Sequence, residues 1–255
     1  MPIETFIGID LAWRSRNPTG AAVLKGDRVG ARLEVVASLS PGDSISDFIT
    51  SHSTDNTIVA IDAPLIIINQ TGQRQCETEV GKRYGSREAS CHTSNLTLFP
   101  NASSVSLTRQ LLAEGFVHAN PEEQQEGKIV AEVYPHAAMV ALWDLPKTIK
   151  YKKGKVEQRL KGLETLRSKL AELTKATPAL LPSAELDNLL SSDLNQLRGR
   201  SRKAHEDQLD ALFCAYLAFY FWYWRGKGTH LFGDTECGYI LNPTMRPTSR
   251  SSEPL

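Results

Sequence analysis

Two short apolar runs that each end in an aspartate limit the fold of this chain more than any other feature. Residues 6–9 lead into Asp10, and residues 57–61 lead into Asp62. Continuous apolar runs of this length are typical of strands buried in a parallel sheet, and ligands of open α/β sheets bind outside the carboxyl ends of such strands. Either aspartate alone could simply enter solvent or cap a turn. Two in matched positions favour an α/β fold with a polar site.

The order of the remaining elements makes this α/β prediction more specific. Three strands, a helix, a parallel strand, a helix, a strand and a last helix form the chain order of the ribonuclease H-like fold. We therefore predict one domain over residues 1–243, with a mixed five-stranded sheet flanked by helices. Insertions are expected after the fourth strand (residues 64–105) and before the last helix (residues 144–200). Residues 244–255 are rich in Pro, Ser and Arg and are expected to form a flexible tail.

A third acidic element lies on the long helix predicted over residues 205–224. Asp207 and Asp210 are three residues apart and therefore share one helix face. The helix dipole accounts for Asp207 in the first turn, but Asp210 enters the apolar part of the helix. We expect Asp10 and Asp62 to meet at the sheet edge with Asp210 facing them. Clustered carboxylates suit Mg²⁺ or Mn²⁺, and two such ions about 4 Å apart can promote phosphoryl displacement.

Four sequence blocks carry a resemblance to a known family. Residues 8–13 (GIDLAW), 60–64 (AIDAP), 132–136 (EVYPH) and 207–211 (DQLDA) resemble the signature blocks of the domain-of-unknown-function 429 family. Its members are described as predicted nucleases of ribonuclease H fold. The last block also resembles the final helix of Holliday-junction resolvases, and residues 74–77 (RQCE) resemble a further family block. The resemblance spans roughly residues 6–218.

The resemblance implies roles for particular residues. Asp10, Asp62, Asp207 and Asp210 would be metal ligands, and Asp10, Asp62, Glu132 and Asp210 would be catalytic. For Glu132, a surface acid fixed by the following Tyr134-Pro135 geometry is an equally good interpretation. Arg74 and Glu77 would either line the site or pair with each other.

Basic residues are concentrated in two segments that flank the acidic ones. Residues 147–169 contain nine basic and two acidic side chains, and four more basic residues lie between 198 and 203. Such clusters could bind a phosphate backbone, although charged runs are usually solvated surface. We predict substrate contacts from Arg74, Lys152, Lys153 and Arg202.

Composition excludes several classes of protein. Lys and Arg together number 29, as do Asp and Glu, so net charge provides no overall attraction to nucleic acid or anionic membranes. The longest apolar run, residues 211–224, is shorter than the roughly 20 residues that a membrane helix needs. The four cysteines form no C-x-x-C pair and no secretory signal opens the chain, so we expect a cytoplasmic location. The oligomeric state stays open, and a dimer is compatible with the sequence.

The functional hypothesis from the sequence is a Mg²⁺- or Mn²⁺-dependent nuclease. A non-catalytic module that binds nucleic acid or a nucleotide on the same fold is the first alternative. A nucleotide phosphotransferase ranks below both, because actin-like kinases normally use two such halves and a glycine-rich phosphate loop is missing here.

Overall fold

The centre of the protein is a mixed seven-stranded sheet in a computed structural model that describes residues 4–12, 17–123 and 126–244. The strand order is β5-β6-β4-β1-β2-β3-β7. Strands β1, β2 and β3 are antiparallel neighbours, whereas β4 and β6 continue the sheet parallel to β1. The strands are β1 (Glu4–Asp10), β2 (Thr19–Gly26), β3 (Ala31–Leu39), β4 (Thr57–Ile61), β5 (Val117–His118), β6 (Lys128–Glu132) and β7 (Leu180–Leu181).

The α/β class and a mixed sheet flanked by helices are confirmed, but the sheet is wider than the five strands that we predicted. The five expected strands correspond to β1–β4 and β6. The additional strands, β5 and β7, lie at the two edges and contain two residues each. A strand of two residues has no periodic pattern, so the sequence offers no signal for either edge.

Seven α-helices pack around the sheet within the described residues. Their bounds are α1 (Ile45–His52), α2 (Gln75–Tyr84), α3 (Ser103–Ala113), α4 (Pro135–Leu142), α5 (Val156–Glu172), α6 (Ala184–Ser191) and α7 (Gly199–Tyr223). Two of them, α2 and α4, were not predicted. Helix α4 is apolar on nearly every side and largely buried, so it lacks the amphipathic pattern that reveals a surface helix. Pro135 occupies the first turn of α4, where proline is favoured.

Helix α7 lies directly on β1 and β2 because two glycines allow close contact. A Cβ atom at Gly8 would lie 2.0 Å from the carbonyl oxygen of Ala211, and one at Gly20 would lie 2.1 Å from that of Asp207. Any larger residue at either position would push the helix away from the sheet. The same contact brings the acidic part of α7 to the carboxyl end of β1.

A hairpin that the sequence analysis missed follows α7. Strands β8 (Thr229–Asp234) and β9 (Gly238–Pro243) form a separate two-stranded sheet. Phe232 and Ile240 pack against α2 and α4. The predicted tail falls largely outside the described residues, since only Thr244 of it is included, and its amide donates a hydrogen bond to Gly228. Within the described ranges, no helix is long and apolar enough to cross a membrane.

Candidate functional site

Asp10 and Asp62 lie side by side at the carboxyl ends of two neighbouring central strands. Strands β1 and β4 are parallel with Ile9 opposite Ile61, and the Asp62 amide donates a 2.9 Å hydrogen bond to the Ile9 carbonyl. Side chains alternate along a strand, so Asp10 points to the same sheet face as Phe6. By the same alternation, Asp62 continues the face of Ala60, which is also the face of Phe6. This is the face that α7 covers, as the packing of Phe6 and Ala60 with α7 residues shows.

Helix α7 contributes two further carboxylates, and both are buried. Asp207 is 2% exposed and Asp210 is 0% exposed. The Tyr151 hydroxyl donates a 2.5 Å hydrogen bond to Asp210 Oδ1. Asp207 Oδ1 accepts a hydrogen bond from Lys203 Nζ one helical turn away. The second oxygens of Asp207 and Asp210, both Oδ2, are buried, and neither has a well-aligned hydrogen-bond partner among the residues that the structure describes.

Lys152 lies among these carboxylates. Its Nζ is 2.8 Å from Asp210 Oδ2 and 3.8 Å from Asp10 Oδ1, and its side chain is 29% exposed. Burial raises the pKa of Asp10 to about 6; the Lys152 ammonium opposes this rise and the Asp207 carboxylate adds to it. Burial also raises the pKa of Asp62, against the effect of Lys152 and reinforced by Asp10 and Asp210. The aspartates are therefore close enough to disfavour charge on their neighbours: Asp10 does so at Asp62 and Asp210, and Asp207 does so at Asp10, with which it also shares a side-chain hydrogen bond. Lys152 partly compensates all four carboxylates.

Glu132, the last residue of β6, lies on the opposite face of the sheet. It is opposite Ile61 in the parallel register, one position before Asp62, so strand alternation directs it away from α7. Arg74 binds both of its oxygens, with Nη1 to Oε2 at 2.9 Å and Nη2 to Oε1 at 2.6 Å. At 3% exposure Glu132 is not a surface acid. Its charge nevertheless helps to raise the pKa of Asp62, and its catalytic role stays a prediction.

Arg74 pairs with Glu77 and also lines the cleft described below. The two alternatives from the sequence, lining the site and pairing with Glu77, are therefore both correct. Its Nε donates to Glu77 Oε1 at 2.9 Å, and its Nη1 also donates to the Ile66 carbonyl at 3.0 Å. The amides of Arg74 and Ser94 both donate to Glu77 Oε2 at 3.1 Å. This buried network joins the start of α2 to the loop after β4 and to β6.

A cleft of about 1250 Å³ opens over the carboxyl ends of these strands. Its lining contains Asp10, Asp62, Asp207, Arg74, Glu132, His136, Lys152, Lys153 and Lys203. The described residues that line it include neither Asp210, which lies deeper behind Tyr151 and Lys152, nor Arg202. Arg202 is buried and donates to the Leu197 carbonyl at 2.8 Å. Three of the four predicted substrate residues, all except Arg202, therefore reach the cleft.

His136 is a cleft residue to which the sequence analysis gave no role. Its Nδ1 is 3.0 Å from Thr148 Oγ1, and its ring centroid is 5.6 Å from that of Tyr151. Burial lowers the pKa of His136 to about 4, assisted by Lys152, so the imidazole is neutral near pH 7. The only sequence signal for it was its place in the 132–136 block.

Much of the predicted basic surface is engaged within the protein. Lys147 and Lys150 both pair with Glu88, and Arg159 Nη2 pairs with Glu206 at 2.6 Å. Lys152 is held by the aspartates. The charge available to a phosphate backbone from residues 147–169 is therefore smaller than the sequence count of nine basic residues indicates.

The donor chemistry, but not the present arrangement of side chains, suits a hard divalent cation. Within residues 4–12, 17–123 and 126–244, no three or more His, Cys, Asp and Glu side chains are placed so that they could hold a metal ion. Yet every acidic donor is a carboxylate, and the Oδ2 atoms of Asp207 and Asp210 are buried without a well-aligned hydrogen-bond partner among those residues. The carboxylates whose pKa burial raises would all gain from additional positive charge.

Comparison with known protein families finds one family that matches the chain. The family described as "Protein of unknown function (DUF429)" matches residues 8–237. The chain belongs to the DUF429 family. The match contains all four aspartates and most of the fold, which confirms the family resemblance, and the DUF429 description assigns no activity. No curated protein and no solved structure matches the chain significantly.

Proposed function

We propose that this DUF429 protein is a divalent-metal-dependent nuclease with a ribonuclease H-like fold. One observation carries the proposal: aspartates from β1, from the end of β4 and from α7 lie close together at a single open cleft. Buried acids at separate positions in the chain are costly to bring together unless a cation binds them. Nucleic acid is the proposed substrate, and the cytoplasm the proposed location.

The arrangement of the central strands supports the fold assignment. The sub-order β3-β2-β1-β4-β6, with β2 antiparallel to its neighbours, is the one expected from the chain order of a ribonuclease H-like domain. Helix α7 covers the sheet face that carries Asp10 and Asp62. Strands β5 and β7 extend this core at its edges and leave the acidic end unchanged.

In the proposed mechanism, Asp10, Asp62 and Asp207 would have to move together to hold Mg²⁺ or Mn²⁺. Such an ion would supply Lewis-acid chemistry at the phosphodiester. Lys153, which is exposed at the cleft, contacts the phosphate backbone of the substrate. Arg74 is fixed by Glu77 and Glu132, so it orders the loop after Asp62 and keeps that carboxylate in place.

A non-catalytic binding module is the second candidate, and one observation favours it. Lys152 already neutralises part of the acidic group, as a lysine would in a site that needs no metal. The two candidates differ in their response to Mn²⁺ and in whether they break phosphodiester bonds.

A cleavage assay tests the proposed activity. Labelled single-stranded DNA, duplex DNA, RNA, RNA–DNA hybrid and a four-way junction are incubated with the protein in Mg²⁺, in Mn²⁺ or in EDTA. We expect cleavage of at least one substrate that requires metal, and a loss of at least about 100-fold in rate in Asp62→Asn, because Asp62 would help to hold the metal that stabilises the negative charge of the transition state. Asp187→Asn, on the exposed side of α6, is the matched control and should retain the rate. Binding without metal-dependent cleavage would favour the non-catalytic module.

A further inference from the structure

A second cavity lies at the amino ends of the central strands, away from the acidic cleft. It has a volume of about 350 Å³, and its walls come from the starts of β1, β4 and β6 and from the end of α7. Strand β1 runs from Glu4 at this cavity to Asp10 at the cleft, which places the two sites roughly 20 Å apart. We infer that the cavity binds a small zwitterion of the α-amino-acid class, at a site independent of the proposed nuclease activity.

The guanidinium of Arg28 is fixed at the wall of this cavity. Its Nη1 donates a hydrogen bond to the Tyr223 carbonyl, and its Cζ lies 4.3 Å from the centroid of the Trp222 ring. The Trp222 ring packs in turn on the buried ring of Phe6, with 5.4 Å between the centroids. A guanidinium held in this way is preorganised to bind a carboxylate, because little side-chain freedom remains to be lost.

Arg225 is a second arginine of the lining, and its backbone conformation is one that favours glycine. It follows the end of α7 with a φ of +50°, and the Gly226 amide donates to the Phe221 carbonyl at 3.1 Å, as in a Schellman motif. Arginine strains the backbone at this position, whereas glycine would not. Burial, followed by the charge of Arg225, lowers the pKa of Arg28, so the two guanidinium groups lie close together.

Carboxylates line the same cavity without pairing with either arginine. Glu4 is 8% exposed, and burial followed by the charge of Glu126 raises its pKa, against the effect of Arg28. Within the described residues, neither these two carboxylates nor the two arginines form an ion pair. Groups of both signs therefore act on one another across the cavity without contact, and each sign is available to a ligand.

Charge and size together favour an amino acid. Its carboxylate binds the two arginines, and its ammonium binds the two glutamates. A phosphate would bring several negative charges against these carboxylates and against Glu123, which also lines the cavity. The volume of about 350 Å³ is near the lower end of the range of about 300–1,000 Å³ for small-molecule sites. Phe6, Ile58 and Phe221 supply an apolar wall for the side chain of the ligand.

Calorimetric titration and thermal-shift assays of the full chain with the standard amino acids test this inference. We expect at least one of them to bind at millimolar concentration or below and to raise the melting temperature. Its methyl ester lacks the carboxylate charge and its N-acetyl form lacks the ammonium charge, so each should bind at least about 10-fold more weakly. Equal binding of all three forms, tighter binding of inorganic phosphate, or no binding of any amino acid would overturn the inference.

Two variants test whether the amino acid binds in this cavity. Arg28→Met and Arg225→Gly should each weaken binding by at least about 10-fold, whereas Arg109→Met, an exposed change on α3 at the opposite sheet face, should leave the affinity unchanged. Arg225→Gly should also raise the melting temperature of the ligand-free protein, because glycine relieves the left-handed strain. If Arg28→Met does not fold, Arg225→Gly decides alone. Unchanged affinity in Arg225→Gly would overturn the inference and leave the proposed nuclease function untouched.

Discussion

Replacing Arg74 by methionine should lower the free energy of unfolding by about 3–5 kcal/mol, the range for breaking a buried ion pair by removal of one partner. Arg74 and Glu132 are both almost fully buried, and the guanidinium binds both carboxylate oxygens. Without Arg74, Glu132 and Glu77 keep buried charges that lose their principal partner. In a chain of this size the melting temperature should fall by roughly 10 °C, as measured by calorimetry or circular dichroism.

Three further variants make the Arg74 prediction specific. Arg87→Met breaks the exposed pair with Asp144 and should cost less than about 1 kcal/mol. Arg74→Lys keeps the charge but loses the two-point contact, so an intermediate loss is expected. Arg74→Met combined with Glu132→Met should be less harmful than the sum of the single changes. A loss for Arg74→Met as small as that for Arg87→Met would show that the buried network does not stabilise the fold.

Asp10→Asn should make the metal-free protein more stable at neutral pH. The folded-state pKa of Asp10 is about 6, above its ordinary value of 3.8, because burial and Asp207 disfavour its charge more than Lys152 favours it. The unfolded chain therefore loses this proton at a lower pH than the folded chain. Protonated Asp10 therefore stabilises the fold fully below about pH 3.8. This stabilisation is lost as the pH rises through about 6. One pKa unit corresponds to about 1.4 kcal/mol, so the gain in Asp10→Asn approaches about 3 kcal/mol at pH 8.

Denaturant unfolding from pH 3.5 to pH 8, in EDTA, measures this effect. The difference between Asp10→Asn and the wild type should be near zero at the acid end and should grow between pH 4 and pH 6, where Asp10 ionises at different pH values in the folded and unfolded states. Asp187→Asn, which changes an exposed aspartate on α6, is the matched control. A variant that is less stable than the wild type at pH 8 would mean that the Asp10 charge stabilises the apo fold.

The central strands could be predicted because their information is local. Continuous apolar runs identify β1 and β4, and each ends in the acid that forms the site. Helix α4 was missed because burial on nearly all sides removes amphipathic periodicity. The β8–β9 hairpin did have a signal, two strand-like runs joined by a short turn, and it was overlooked.

The aspartates of the site could be predicted, but their partners could not. Strand ends and helix spacing select Asp10, Asp62, Asp207 and Asp210. The contacts of Lys152 with Asp210 and of Arg74 with Glu132 each join residues nearly 60 positions apart, and no local pattern encodes such pairs. The sheet face that Glu132 occupies depends on the register between β4 and β6, which a single sequence does not determine.

An anomalous-scattering map from crystals soaked in Mn²⁺ tests the metal site most directly. We expect a peak in the cleft, bounded by the carboxylates of Asp10, Asp62 and Asp207 at about 2.0–2.6 Å. Saturating Mn²⁺ that leaves no peak between these three aspartates would contradict the proposal that this acidic cleft is a metal centre.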